Sequence, residues 1–530
     1  KRAQSIEYIN NKYFSGLMPL SWYPDIELWF SKYGFDEEVM IALFNYCFNK
    51  AALNRSYIQT VAEAWASNKI KTFSDLDNYY ERQEKINVII KSITKKLSLN
   101  RQLSQYERAY VEKWVLDFGY SLNIIEIALK KTTSKVNPNF DYLNKLIRFK
   151  DKELIKVVTG IRRCGKSTLF DIYINYLLNN GVDKNQIIRL NLEDPVYYEL
   201  TDYLKLYNYI KKKLDENKMN YIFIDEVQSI PQFQKAVDGL YIQKNVDLYI
   251  TGSNAYLLSG ELATLLSGRY VEIKMLPLSF KEYKSVFPNE SAEWIYKKYI
   301  STGAFPYTLK LDNIDDVDMY IKGIYDSIIL KDVMARKNFP DKQMLQSIVN
   351  FMLNNIGNML STNKIADTMT SNGRKISVHT VENYLTALTE SFILYKATRY
   401  DVKGKQYLKT GDKYYVSDLG LRYFLLGRKE QGRGHILENI VYLELLRRGY
   451  DVYIGKVDEY EVDFVAINSK GIEYYQVAES VRDENTLNRE LRSLDIISDH
   501  YPKFLLTMDI DPETSYNGIR KINVLDWLLD

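Results

Sequence analysis

Cysteine and histidine are scarce in this chain of 530 residues. It has two cysteines, Cys47 and Cys164, and three histidines, His379, His435 and His500. With only two cysteines the chain lacks the disulfide framework of a secreted domain, so we expect a reducing, cytoplasmic setting. The histidines are scattered, and no His/Cys cluster in the sequence has the spacing of a metal site.

Long apolar runs and a strong excess of one charge are also missing. No apolar stretch approaches the roughly 20 residues of a membrane-spanning helix, and no leader pattern is seen, so we expect no membrane span. The net charge is only +3, although basic residues outnumber acidic ones by 22 to 16 in residues 1–150. This mildly basic segment permits contact with nucleic acid but does not require it. The length and the apolar share of 46% predict several domains with separate cores.

A phosphate-binding loop is the most informative feature that is present. The run from Gly160 to Ser167 follows an apolar stretch and precedes an amphipathic one, which predicts a strand, a glycine loop and a helix. Backbone N–H groups of such a loop turn toward a polyphosphate, and the helix N-terminus adds partial positive charge. We expect Lys166 to reach the β- and γ-phosphates of ATP and Ser167 to bind Mg²⁺. The residues predicted to hold the nucleotide are Gly160, Ile161, Arg162, Arg163, Cys164, Gly165, Lys166, Ser167 and Thr168.

Two later strand ends add polar groups to this site. The apolar run 221–224 is typical of a buried parallel strand and ends in Asp225 and Glu226. We expect Asp225 to bind the metal through water and Glu226 to polarise the attacking water. A strand at 248–251 leads to Asn254, which is placed to contact the γ-phosphate. Such strand ends meet at one edge of a parallel sheet, so the sequence predicts an ATPase, or a switch that hydrolyses ATP slowly.

From about residue 140 the chain resembles a family of prokaryotic AAA-type ATPases with a C-terminal domain of uncertain role. The motifs that carry the resemblance lie at 159–167, 191–194, 224–226, 251–254, 266–269 and 277–280. The last residue of the fifth motif, Arg269, is placed to stabilise γ-phosphate charge, in cis or from a neighbouring subunit of a homo-oligomer. A structural ion pair is the alternative role for this arginine.

The first 150 residues contain a weak internal repeat at an offset of 85. Trp29 aligns with Trp114 and Gly34 with Gly119, and each copy has a helix that ends at an aromatic-glycine-aromatic break. The pattern predicts two copies of one helical unit whose aromatic residues form the core.

This segment resembles the DnaD family of bacterial replication-initiation proteins. The first copy carries that family's Tyr-x-x-x-hydrophobic-x-x-x-Trp signature as Tyr57, Val61 and Trp65. The second copy keeps Tyr142 and Leu146 but has a lysine in place of the tryptophan. The resemblance implies a DNA-associated module, with Lys130, Lys131 and Lys135 either at DNA or on a solvated face. No linker separates the second copy from the phosphate-loop strand; a natural fusion, an engineered chimera and an assembly artefact all fit this junction.

A helix-turn-helix pattern follows the ATPase. One short helix ends at Gly373, a second begins after Ser377, and the alternating segments 392–399 and 413–416 are typical of a hairpin wing. The residues expected to face the major groove are His379, Thr380 and Asn383. Winged helices also serve as protein-docking modules, so both roles stay open.

The last segment resembles the PD-(D/E)XK nuclease fold. Glu438 on a helix and Asp463 on a strand have the expected order. Such nucleases use a carboxylate and a lysine two residues later to bind metal and activate water. Here Gln476 and Ala478 stand at those positions, so we expect a nuclease-like fold that is kept for binding.

The predicted fold class is a multidomain chain with all-α repeats, an α/β P-loop ATPase core, a winged helix-turn-helix and an α/β nuclease-like domain. The predicted domains are two DnaD-like repeats (1–70 and 71–147), the AAA-type ATPase (148–285), a helical connector (286–345), the winged helix (346–425) and the nuclease-like domain (426–530). The leading hypothesis is a DNA-associated ATPase whose nucleotide state controls the flanking modules. The alternatives are an ATP-regulated nuclease of a defence or recombination system and a nucleotide-gated protein-docking module. Replication or defence proteins are the partners that these functions imply.

Overall fold

The computed structural model of the chain describes residues 1–50, 53–96, 108, 111–113, 115, 140–255, 266–334, 339, 341–428 and 432–530. The chain forms two compact units, Lys1–Lys135 and Val136–Asp530. Within the described ranges, every helix is too short or too polar to cross a bilayer.

The first unit is helical throughout its described part. Its helices are α1 (Arg2–Phe14), α2 (Trp22–Tyr33), α3 (Glu37–Asn49), α4 (Arg55–Ser67) and α5 (Phe73–Lys96). Gly34 ends α2 in the left-handed conformation with φ 69°, and Asp36 caps α3 by accepting a hydrogen bond from the Val39 N–H. Trp29 and Trp65 are buried in the aromatic core, which confirms a helical N-terminal region.

About half of the predicted second repeat (71–147) lies outside the described residues, including Trp114, Gly119, Lys130, Lys131 and Lys135. Tyr142 and Leu146 are described, but they belong to the second unit, on α6 (Phe140–Arg148). Both are buried in the core of that unit, and the Leu276 N–H donates to Tyr142 Oη at 3.0 Å. Their assignment to the repeat is therefore wrong, because local spacing does not show which core a helix packs into.

The second unit contains a five-stranded parallel sheet. Its strands are β1 (Ile155–Thr159), β2 (Ile187–Asn191), β3 (Asn220–Asp225), β4 (Val246–Gly252) and β5 (Tyr270–Lys274), in the order β2-β3-β4-β1-β5. The adjacent helices are α7 (Lys166–Asn179), α8 (Tyr203–Lys211) and α9 (Phe233–Tyr241). β1 and β3 are buried along their whole length, as expected when helices cover both faces. The carboxyl ends of β1, β3 and β4 meet at one edge, which confirms the parallel-sheet core.

Helices follow this sheet: α10 (Phe280–Val286), α11 (Ala292–Thr302), α12 (Ile314–Ser327), a π-helix (Ile328–Met334), α13 (Lys342–Asn354), α14 (Thr362–Ser371) and α15 (Val378–Glu390). Ser377 caps α15 by accepting a hydrogen bond from the Thr380 N–H at 3.1 Å. His379 and Asn383 are exposed on α15.

An eight-stranded sheet occupies the rest of the unit. Its strands are β6 (Leu394–Asp401), β7 (Gln406–Val416), β8 (Asp451–Val457), β9 (Tyr460–Asn468), β10 (Gly471–Ala478), β11 (Lys503–Thr507), β12 (Thr514–Tyr516) and β13 (Ile519–Asn523). The helices are α16 (Leu419–Leu426), α17 (Arg433–Arg447), α18 (Glu484–Asp495) and α19 (Val524–Leu529). The order is β12-β13-β11-β10-β9-β8-β6-β7.

The hairpin that was predicted as a wing belongs to this sheet. β6 and β7 pair antiparallel, and β6 pairs parallel with β8 from Arg399 opposite Ile454 to Asp401 opposite Lys456. The predicted boundary between residues 425 and 426 thus divides strands of one sheet. The reason is long-range strand pairing, which satisfies the backbone edge of β6 and leaves no mark in the local sequence.

Candidate nucleotide site

The phosphate loop joins the carboxyl end of β1 to α7. A Cβ atom on Gly160 would lie 2.1 Å from the Met275 carbonyl oxygen, so glycine is required there. Arg163 (φ 67°) and Gly165 (φ 111°) adopt left-handed backbone conformations, which occur in backbone nests for anions. Because α7 begins at Lys166, its N-terminus faces the loop, which suits a phosphate group.

The Lys166 side chain is folded over the loop. Its Nζ donates to the carbonyl oxygens of Gly160 at 2.9 Å and Ile161 at 3.3 Å, and it lies 3.8 Å from Glu226 Oε1. Ser167 and Thr168, in the first turn of α7, are exposed. The lysine is thus within the loop, and the serine hydroxyl is accessible at its edge.

Asp225 ends β3 with one carboxylate oxygen held and the other without a hydrogen bond. Oδ1 accepts from Thr251 Oγ1, and Oδ2 is buried without a hydrogen-bond partner, 4.0 Å from Arg189 Nη2. A buried carboxylate oxygen in this position is able to accept a bond from a ligand or an ion. Asp225 and the accessible Ser167 hydroxyl supply the oxygen donors that Mg²⁺ prefers, so these residues fit that ion.

Glu226 is held by its backbone and by its side chain. The Glu226 N–H donates to Thr251 Oγ1 at 3.0 Å, and its carboxylate accepts from Gln228 Nε2. Gln228 Nε2 also lies 3.3 Å from Ser253 Oγ, while Gln228 Oε1 is buried without a hydrogen-bond partner. Because a carboxylate only accepts, the amide nitrogen must face Glu226. Gln228 is not among the residues predicted from the sequence, although it stands two positions after Glu226.

Arg162 connects the loop to a distant acid that is also absent from the predicted set. Its Nε and Nη2 donate to Asp332 Oδ2 at 3.1 Å and Oδ1 at 3.2 Å, and its Nη1 donates to Glu193 Oε1 at 2.9 Å. Ser253 Oγ lies 3.4 Å from Asp332 Oδ1. Burial alone would lower the pKa of Arg162, but Asp332 and then Glu193 raise it above its ordinary value. The guanidinium is therefore charged and held by two carboxylates.

The structure brings Asn254 to this sheet edge but not Arg269. Asn254 is buried just after β4. The Arg269 carbonyl accepts from the Ile155 N–H at the start of β1, and its guanidinium donates to Asp238 at 2.5 Å. The length of β1, roughly 15 Å, separates this edge from the phosphate loop. The prediction that Arg269 acts in cis is therefore wrong, and its supply by a neighbouring subunit stays a prediction.

A second polar cluster lies in the eight-stranded sheet. Lys413 Nζ on β7 is 2.7 Å from Glu461, 3.4 Å from Glu438 and 4.0 Å from Asp463. Burial would lower the pKa of Lys413, but these carboxylates raise it; burial and Glu438 raise the pKa of Asp463 well above its ordinary value. His435 Nδ1 is 3.1 Å from Glu438. The predicted nuclease residues Glu438 and Asp463 do come together, around a lysine that the sequence did not indicate.

Gln476, at the position of the expected acid, is held as an amide. Its Nε2 donates to Glu490 at 2.7 Å, and its Oε1 accepts from Ser493 Oγ at 3.2 Å. These residues line an open cavity of about 550 Å³ together with Glu438 and Asp463. No group of three or more His, Cys, Asp or Glu side chains in the described part of the chain is arranged to hold a metal ion.

Three family profiles match the chain. Residues 152–284 match an AAA domain, residues 293–432 a domain of unknown function, and residues 6–80 a family described as replication initiation and membrane attachment. The phosphate loop and the parallel sheet therefore belong to an AAA domain of the P-loop ATPase class.

Relatives extend this assignment beyond the AAA domain. An uncharacterized protein of Haemophilus influenzae is 42% identical over 394 residues, which cover 73% of this chain and 98% of that protein. The chain therefore belongs to the same protein family as this Haemophilus protein. An uncharacterized protein of Methanocaldococcus jannaschii is 31% identical over 442 residues, or 78% of this chain and 93% of that protein.

Solved structures are similar at a greater distance. A Walker-type ATPase of Pyrococcus abyssi has 15% identity and a TM-score of 0.39, covering 54% of this chain and 95% of that one. The Aeropyrum pernix ORC1 protein, solved in complex with DNA, has 14% identity and a TM-score of 0.25, covering 54% and 91%. These similarities are too distant to carry an argument about function.

Proposed function

We propose that the AAA domain binds ATP with Mg²⁺ at the phosphate loop and hydrolyses it. The observation that carries the proposal is the buried Asp225 Oδ2, which has no hydrogen-bond partner and lies at the same sheet edge as the loop. Ser167 and Asp225 would hold the metal, whose charge would stabilise the phosphate oxygens. Lys166 would bind the β- and γ-phosphates, and Asn254 would contact the γ-phosphate.

Glu226 is the proposed water-activating residue. Thr251 fixes its backbone and Gln228 its carboxylate, so a water beside the γ-phosphate would meet an acceptor already in place. Lys166 exchanges the carbonyl oxygens of Gly160 and Ile161 for phosphate oxygens, which are stronger, charged acceptors.

Two substitutions test this proposal. Lys166→Ala should abolish ATP binding in isothermal titration, whereas Lys205→Ala, which removes an exposed lysine of α8, should leave it unchanged. Glu226→Gln should keep ATP binding and lower phosphate release at least about a hundredfold. Wild-type phosphate release by Glu226→Gln would show that the water-activating assignment is wrong.

We also propose that nucleotide state controls flanking modules that bind DNA. Two observations support this role: residues 6–80 match a replication-initiation family, and α15 exposes His379 and Asn383 behind a capped turn. In this proposal α14 and α15 form a helix-turn-helix, and β6 and β7 are its hairpin. Cleavage is not proposed, because Gln476 and Ala478 replace the catalytic pair and Lys413 already occupies the carboxylates.

Fluorescence anisotropy of a labelled duplex tests DNA binding. Binding should strengthen as salt falls, since phosphate contacts release counterions. His379→Ala combined with Asn383→Ala should weaken it, while Lys205→Ala serves as the control. Anisotropy that stays constant at low salt would favour the protein-docking module instead.

Incubation of supercoiled plasmid with the protein, Mg²⁺ and ATP should leave the plasmid uncut. Nicking would favour the nuclease alternative.

A further inference from the structure

Asp332 joins two parts of the chain that match different families. It lies on the π-helix Ile328–Met334, within the domain of unknown function, and it contacts Arg162 in the phosphate loop of the AAA domain, 170 positions away. The two side chains are 12% and 2% exposed for Arg162 and Asp332. This is a buried, two-pronged contact, the geometry in which arginine recognises carboxylate most strongly.

Bound triphosphate would compete for the same guanidinium. Arg162 is the third residue of the loop, between Gly160 and Lys166, so its side chain starts within the segment that is proposed to bind the phosphates. Asp332 and Glu193 are its present acceptors. A γ-phosphate would add charged oxygens that can accept from a guanidinium in a bidentate manner, and ADP lacks this group.

A second path leads from Asp332 to the proposed water-activating residue. Asp332 contacts Ser253 Oγ, Ser253 contacts Gln228, and Gln228 donates to Glu226. The carboxylate of Asp332 therefore contacts the phosphate loop directly, through Arg162, and is connected to Glu226 through Ser253 and Gln228.

We propose that Asp332 is a positioning residue that responds to the γ-phosphate by competing with it for Arg162. Without a γ-phosphate it holds Arg162 against the π-helix; when ATP binds, Arg162 turns to the phosphate and the π-helix shifts. The shift follows because a buried carboxylate that loses its counter-ion is unfavourable and must reach water or another donor. π-helical turns are uncommon and often mark functional sites. This inference rests on the proposed binding of ATP.

Hydrogen exchange tests the movement in the wild-type protein. The amides of residues 328–334 should exchange faster with a non-hydrolysable ATP analogue than with ADP. Asp332→Asn keeps the shape and removes the charge, so the exchange of these amides should become the same with both nucleotides. The preference for the ATP analogue over ADP should rise about tenfold, since Arg162 no longer has a buried competitor.

Glu193→Gln is the matched control, because it removes the other carboxylate that holds Arg162. The Glu193 side chain is 42% exposed, so its loss should change the nucleotide preference less than about twofold. Arg162→Lys should also remove the difference in exchange, because a lysine cannot make the two-pronged contact. This variant decides the question if Asp332→Asn does not fold.

The outcomes separate the two proposals. Equal exchange of residues 328–334 with the ATP analogue and with ADP, both bound to wild-type protein, would overturn the role of Asp332 and leave the ATPase proposal standing. A wild-type protein that binds neither nucleotide would overturn both.

Discussion

The nucleotide site and the Lys413 cluster are both buried groups of acids beside a lysine, but they differ in how the charges are satisfied. At the nucleotide site Asp225 Oδ2 has no hydrogen-bond partner and Lys166 rests on backbone carbonyls. In the other cluster Lys413 lies among three carboxylates. Carboxylates that lie close together therefore do not by themselves define a metal site. The two sites differ in that a carboxylate oxygen of Asp225 can still accept a bond from a ligand, whereas the carboxylates around Lys413 already have a cation beside them.

The largest expected effect on stability comes from removing Lys413, the lysine among the three carboxylates. Lys413→Met should destabilise the eight-stranded sheet by about 3–5 kcal/mol, because it leaves buried carboxylates without their counter-ion. Hydrogen exchange of the β7 and β9 amides measures the loss locally. Lys396→Met is the control, since Lys396 pairs with Asp412 at 2.8 Å and is 45% exposed, so about 0–1 kcal/mol is expected.

The destabilisation caused by Lys413→Met should depend on pH and should be smaller in acid. Burial already raises the pKa of Asp463 in the folded protein. A carboxyl group with a raised folded pKa binds protons more tightly when folded, so stability rises as the pH falls through that pKa toward the ordinary value of the unfolded chain. The loss of stability should therefore be largest near neutral pH and shrink on acidification.

Mn²⁺ should stabilise the Lys413→Met variant more than the wild type, because the cation can take the place of the lysine among the carboxylates. An equal effect on both proteins would contradict the view that Lys413 takes the place of a cation.

At the nucleotide site we expect a smaller effect on stability and a larger effect on the rate of ATP hydrolysis. Asp225→Asn should slow Mg²⁺-dependent phosphate release about a hundredfold, or about 2.7 kcal/mol in the barrier. Its free energy of unfolding should fall by less than about 1 kcal/mol, because the oxygen that is replaced accepts no hydrogen bond and its cation, Arg189, is as far as 4.0 Å away. Calorimetric titration of Mn²⁺ and chemical denaturation measure the two effects. Wild-type release by this variant would remove Asp225 from the metal site.

The smallest effect is expected from the residue that positions Glu226. Gln228→Ala removes the amide that donates to the Glu226 carboxylate, so phosphate release should fall about tenfold with nucleotide affinity unchanged. Gln243→Ala is the control, because its amide donates to the Gly239 carbonyl away from the site. A weakened nucleotide affinity instead would mean that Gln228 supports the loop rather than Glu226.

Local signals are sufficient for the AAA core. The phosphate loop has its glycines, its lysine and its helix start within eight residues, and β3 ends directly in Asp225 and Glu226. Because parallel strands align their carboxyl ends, the meeting of these groups with Asn254 follows from their positions in the chain.

Apart from the contact of Gln228 with Glu226, the contacts that the sequence did not indicate are long-range. Asp332 meets Arg162 across 170 positions, and Lys413 reaches Glu438 from another element. Each depends on tertiary packing, which periodicity and spacing do not encode. The same reason explains why Tyr142 was assigned to the wrong core, and why the ion pair of Arg269 with Asp238, the alternative role for this arginine, could not be chosen from its motif.

The pairing of β6 with β8 limits how the gene can be shortened. A polypeptide that stops after α16 would expose the bare edge of β6, and one that starts at α17 would expose that of β8. Unprotected strand edges recruit other chains, so both fragments should precipitate or form mixed aggregates rather than behave as separate folding units.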